Sequence, residues 1–187
     1  KMMYDRTEKE YFSAKRKASR QMGIDFRYHP SGLPSNREIR EEILQVAALY
    51  EGDERQHKLR EMRLYALWLM KHLEPFYPKL IGSTLTGHVR KGSDIDIHIF
   101  ADSVSAVTQV LDNHGFPCHV EKKRIVKYNT EREFTHVHVH GRFEAELTLY
   151  SMKYLHYCFK SSITGKPIEK ASLKELPLLL AQEYAGI

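Results

Sequence analysis

The sequence predicts an α+β fold in which an N-terminal helical segment precedes a mixed β-sheet with helices packed on one face. Two observations predict it. Hydrophobic periodicity is helical before residue 78 and shifts to strand-like period two beyond it. The strand-like runs are short, with helical runs before, between and after them. At 187 residues with 42% hydrophobic content, the chain can bury one substantial core, divided into a helical segment, 1–78, and a sheet-containing core with C-terminal helices, 79–187.

A first helix is expected over residues 4–22, with Tyr11, Ala14, Ala18 and Met22 at helical spacing, a capping box at Asp5 and Glu8, and Gly23 as the stop. Residues 23–34, with His29-Pro30 and Ser31-Gly32, read as loop. Ser35 and Glu38 form a second capping box ahead of an apolar face of Ile39, Ile43, Val46, Ala47 and Tyr50. A third helix begins after Gly52 and stops before Pro75. Beyond Pro78, residues 79–81 and 94–100 read as strands and 103–113 as a helix ended by Gly115. Residues 116–121, 124–128, 134–140 and 143–150 read as further strands, with turns at 129–132 and at Gly141-Arg142. Residues 151–159 and 172–185 are expected to be helical, Pro177 lying in the first turns of the second.

A net charge of +5 and a pI near 9.1 suit a phosphate-rich partner, although Lys15-Arg16-Lys17 and Lys122-Lys123-Arg124 also read as solvated charge runs. The longest apolar runs fall far short of the roughly 20 residues of a membrane span, so the expectation is a cytoplasmic protein with no membrane partner. Cys118 and Cys158 are far apart in sequence and imply neither a disulfide framework nor a zinc knuckle.

The informative segment runs from Leu80 to Phe100, LIGSTLTGHVRKGSDIDIHIF. A short apolar strand ends at Gly82, whose missing side chain lets backbone approach a ligand, and Ser83 adds a hydroxyl there, which together suit the phosphates of a nucleoside triphosphate. Residues 84–88 read as the start of a short helix. Arg90, Lys91 and Ser93 are expected to place positive charge and a donor beside the same site. Period two in Asp94-Ile95-Asp96-Ile97-His98-Ile99 sends the isoleucines to the core and both aspartates to the other face. Two carboxylates held side by side repel unless a cation lies between them, and hard oxygen ligands suit Mg2+ or Mn2+.

This segment resembles the signature of the DNA polymerase beta superfamily of nucleotidyltransferases: an apolar residue, Gly, Gly or Ser, a spacer, then Asp, apolar, Asp or Glu, apolar. Here it reads Ile81-Gly82-Ser83, ten intervening residues, and Asp94-Ile95-Asp96-Ile97. Gly87 and Ser93 look like the small bacterial members, including minimal nucleotidyltransferases, whereas the N-terminal helices resemble no family. The resemblance implies a nucleotidyltransferase core. It further implies transfer of a nucleoside monophosphate from a triphosphate to an acceptor hydroxyl, with pyrophosphate released and Asp94, Asp96 and a third carboxylate holding the metal. The third acid is expected on the strand Phe143-Glu144-Ala145-Glu146-Leu147, where alternation leaves Glu144 and Glu146 on the active face. Glu146, mid-strand, is the better placed of the two. The acceptor, whether RNA, protein or a small molecule, is open. The alternative is a catalytically inactive nucleotide-binding regulatory module of the same fold.

Thr135-His136-Val137-His138-Val139-His140 sets three histidines on one strand face. Three in a row converge poorly on one ion, so a solvated face or contact with nucleotide or acceptor fits better than a zinc site. A three-residue hairpin loop after His140 would pair His138 with Glu146 and gather Val137, Val139, Ala145 and Leu147 in the core.

Overall fold

The structure is a computed structural model that describes residues 2–5, 7–8, 11–24, 32–127, 130–161 and 165–184, with the backbone alone for 125–127, 130–132 and 184. The loop expected at 23–34 and the turn expected at 129–132 therefore lie partly outside the described residues, as does the C-terminal end of the last expected helix.

The chain packs into two units, one of residues 1–55, 90–92 and 160–166, the other of 56–89, 93–159 and 167–187. In the first, α1 (Tyr11–Gln21) and residues 36–55 of the long helix α2 (Asn36–His72) enclose a small core of Met3, Ala14 and Ile43, bordered by Tyr4, Tyr11 and Ile39. Helix α1 starts later than expected. Glu8 pairs with Lys17 rather than closing a capping box with Asp5, and Met2–Asp5 is a turn. The box at Ser35 forms reciprocally: the Glu38 amide donates to Ser35 Oγ at 3.1 Å and the Ser35 amide donates to Glu38 Oε2 at 2.7 Å. The break expected at Gly52 is a residue with φ 43° and ψ −132° inside α2, a conformation open to glycine.

The second unit holds β1 (Lys79–Ile81), α3 (Gly82–Thr86), β2 (Ile95–Phe100), α4 (Val104–Asn113), β3 (Cys118–Lys127), β4 (Thr130–Val139), β5 (Ala145–Tyr150), β6 (Ala171–Ser172) and α5 (Glu175–Tyr184). Among the described residues, its six strands form one sheet in the order β3-β4-β5-β2-β1-β6. The β2–β5 pair is parallel and every other pair antiparallel, so the sheet is mixed. Alternation sends Ile95, Ile97, Ile99, Ala145, Leu147, Val137 and Val139 to one face. There they share a core with Leu59, Met62, Ala66 and Leu69 of α2, Val107 and Leu111 of α4, and Leu176 of α5. The α+β class, the mixed sheet and the helices on one face are as the sequence predicts.

Three local expectations fail. The two strands expected at 116–121 and 124–128 are one, because Lys122 and Lys123 pair across to Thr135 and Phe134 in an unbroken ladder. Lys122 reaches Glu133 at 3.2 Å, so the charge run that reads as a break is an exposed strand face. Thr130 follows suit and pairs with Lys127 in strand rather than turning. Residues 151–159 form only a short 3-10 turn, Met152–Tyr154. Their aromatic side chains pack back on the sheet instead, with Phe159 4.3 Å from Tyr150 and 5.4 Å from His98 between ring centres. Helix α5 begins at Glu175, whose carboxylate accepts from the Ser172 amide at 2.8 Å, and Pro177 falls in its first turn, where an amide needs no helical partner.

Candidate functional site

The polar face of the sheet is where the chemistry-bearing residues meet. Ile81 pairs with Asp96, and Asp96 with Glu146 on the neighbouring parallel strand. Glu146 pairs in turn with His138, and His138 with His119. Residues paired across a ladder share a face, so Asp96, Glu146, His138 and His119 form one cross-strand row. The next row is His98, Thr148, His136 and Glu121. The hairpin register is the one expected from the three-residue loop.

Gly82 stands against Asp96 of the first row. Its φ is +69°, and a Cβ placed on it would overlap the Asp96 carboxylate. Only glycine leaves room for the acid there, so the loop backbone and the Asp96 carboxylate are in contact. Ser83 follows in α3, which starts at Gly82, two residues earlier than expected, and ends on Gly87 at φ 78°. Buried Thr84 donates from Oγ1 to the Asp94 carbonyl at 3.3 Å, joining α3 to the entry of β2. Asp94 and Asp96 are both half-buried, Asp94 just before the strand and Asp96 within it. Ser93 lies in the connection that precedes them. Arg90 and Lys91 belong to the first unit, where the Arg90 guanidinium donates to the Met3 carbonyl at 3.1 Å and the Lys91 amide to Glu51 Oε1 at 3.0 Å.

Glu146 is held by His136, Nδ1 to Oε1 at 2.6 Å, with His138 Nδ1 4.0 Å from its other oxygen. The hydrogen bond from His136 keeps the Glu146 carboxyl below its ordinary range despite its partial burial. Glu146 is thus ionised at neutral pH. Glu144, the other candidate, lies at the strand entry on His140 Nδ1 at 2.7 Å. Buried His98 is pushed down to about 4, chiefly by burial and then by the charges of Lys170 and His136.

The histidines are linked to one another as well as to acids. His140 Nε2 and His119 Nδ1 are 2.8 Å apart, and their rings lie within 14° of parallel with centres 5.0 Å apart. At that centre separation the short nitrogen contact fits rings set edge to edge, an N–H···N hydrogen bond rather than lone pairs converging on an ion. His138 Nε2 meets Glu121 Oε2 at 3.0 Å. Among the described residues, no three His, Cys, Asp or Glu side chains gather as a metal cage would.

Three residues at or beside these rows were not singled out from the sequence: His119, Glu121 and Arg63. His119 and Glu121 fall within the strand expected at 116–121, but the sequence does not show that this strand pairs with β4 and so lines them up with His138 and His136. Arg63, 1% exposed, is carried on the apolar face of α2 beside Met62, where helical spacing gives no sign of a polar task.

No protein family and no curated protein matches the chain. Among solved structures it is similar to a chain in the structure of a GLD-2/RNP-8 complex, at 18% identity and a TM-score of 0.26, over 55% of this chain and 41% of that one. A likeness so slight carries no argument about function. No helix among the described residues is long and apolar enough to cross a membrane.

Proposed function

We propose that this chain is a metal-dependent nucleotidyltransferase that moves a nucleoside monophosphate from a triphosphate to an acceptor hydroxyl and releases pyrophosphate. The observation that carries the reading is the contact of the Gly82 backbone with the Asp96 carboxylate, in register with Glu146 on the adjacent strand. One strand-helix-strand unit carries both Gly82-Ser83 and Asp96, which supports reading them as a site for a triphosphate and its cation.

Hard, ionisable oxygens suit Mg2+ or Mn2+, and Asp94, Asp96 and Glu146, on or beside adjacent strands, are the residues that would hold the metal, although their side chains are not drawn together as a cage in this structure. When bound, such ions neutralise triphosphate charge and acidify a hydroxyl. Gly82 and Ser83 hold the phosphates through backbone amides and the Ser83 hydroxyl, and Ser93 adds a donor near Asp94. The acceptor oxygen attacks the α-phosphorus as the bond to the pyrophosphate oxygen breaks, and the acceptor proton passes to solvent or to a carboxylate of the row. No covalent enzyme intermediate is needed. ATP is the first triphosphate to test, and the acceptor is RNA, a protein or a small molecule.

The hydrogen bond between Glu146 and His136 favours a second reading, a module that binds nucleotide without turnover, since it engages the third carboxylate elsewhere. Incorporation of α-labelled triphosphate in lysate separates the two. The first reading expects Mg2+-dependent labelling that Asp94→Asn and Asp96→Asn each abolish. Binding of triphosphate with no labelled product would support the regulatory module instead.

A further inference from the structure

Arg63 has no role in the site as described, yet its guanidinium is buried against it. Nε donates to the Thr84 carbonyl at 2.9 Å and one terminal nitrogen to the Leu85 carbonyl at 2.6 Å, while the other meets the Glu183 carboxylate of α5. Leu59, Met62 and Ala66 around it on α2 are buried and apolar, so a Leu or Met at 63 would suit the core without the penalty of an enclosed charge. The carbonyls explain the arginine. Helix α3 has five residues, too few to stand alone, and the carbonyls of its last turn lack partners within the helix. The Gly87 amide takes the Ser83 carbonyl, and Arg63 takes the next two. Thr84 then links this anchor to Asp94 through its hydroxyl.

We infer that Arg63 is a positioning residue that fixes the Gly82-Ser83 loop against the aspartates, and that Glu183 on α5 holds Arg63 in place. Triphosphate affinity is thereby tied to the docking of the C-terminal helix. The inference rests on the nucleotidyltransferase reading for its catalytic meaning, but the anchoring itself can be measured without nucleotide.

The test uses the full chain with Arg63→Lys, Arg63→Met and Glu183→Gln. In the unliganded protein, hydrogen exchange at the amides of residues 83–88 should quicken about tenfold or more in Arg63→Met, the effect of losing a charged hydrogen bond. The gain should be smaller in Arg63→Lys and Glu183→Gln, with β2 unchanged in all three. With ATP and Mg2+, the KM for triphosphate should rise in the same order while kcat changes little. Exchange in α3 equal to wild type in every variant, or quickened uniformly over the whole chain, overturns the inference. Should Arg63→Met not fold, Arg63→Lys and the half-exposed Glu183→Gln decide it. A wild-type chain that binds no triphosphate, with α3 still loosened in the variants, overturns the nucleotidyltransferase reading and leaves the anchoring intact.

Discussion

Gly82 is the residue on which the site turns, because its backbone conformation and its contact with Asp96 both exclude a side chain. Gly82→Ala is expected to lower stability by roughly 1–3 kcal/mol, from the positive φ and the displaced carboxylate, and to weaken triphosphate binding. Denaturant unfolding and calorimetry would check the two effects. His98 gives a pH test. It is buried and its pKa is about 4, against an ordinary value of 6.5. Below pH 6.5 the unfolded chain takes up a proton that the folded chain refuses, so stability present above that pH is lost as pH falls toward 4. The linkage amounts to about 3 kcal/mol. Stability measured between pH 7 and 4 should fall by about that much more in the wild type than in His98→Phe, and equal slopes would contradict the assignment. At this scale the face of Asp96 and the demand for glycine at 82 were legible from period two and glycine chemistry. Arg63 was not, because its partners are main-chain carbonyls that a sequence does not display.

Among the elements, four end signals were read correctly, whereas the box expected at Asp5 and Glu8 was lost to the Glu8–Lys17 pair. The Ser35 box, the Gly52 break, the strand 94–100 and the helix capped by Ser103, whose Oγ accepts from the Ala106 amide at 3.2 Å, all rest on local chemistry that acts the same way in any fold. Ser35→Ala should therefore loosen the first turn of α2, costing about 1 kcal/mol. Faster amide exchange at residues 36–39, without change in the sheet, would show it. The elements misread are those decided by distant partners. Strand β3 crosses a charged run because β4 supplies Glu133 opposite it, and residues 151–159 forgo a helix to pack rings on Tyr150 and His98. Only the hairpin register was both long-range and legible, since one step of slip would have exposed Val137 and Val139.

For the sheet as a whole, helices pack on its apolar face, and the strand order sets β2 between β1, which leads into α3, and β5, which carries Glu146. The sheet core should tolerate little: Ile97→Ala, at a fully buried central position, is expected to cost 2–5 kcal/mol, readable as a lowered denaturation midpoint. The sequence predicts this layout because short strands broken by helices admit few arrangements, but strand order depends on pairings between segments far apart in the chain. The sixth strand, two residues long, carries no periodicity at all. In the proposed function, Gly82-Ser83 and the Asp96 row form a site for a triphosphate and its cation. Its most direct test is calorimetric titration of ATP, with and without Mg2+, into the wild type and Asp96→Asn. The expected result is binding that requires Mg2+ in the wild type and is lost in the variant, with unfolding temperatures showing both proteins folded. Equal affinity in Asp96→Asn, or no binding of any nucleoside triphosphate by the wild type with Mg2+ or Mn2+, would contradict it.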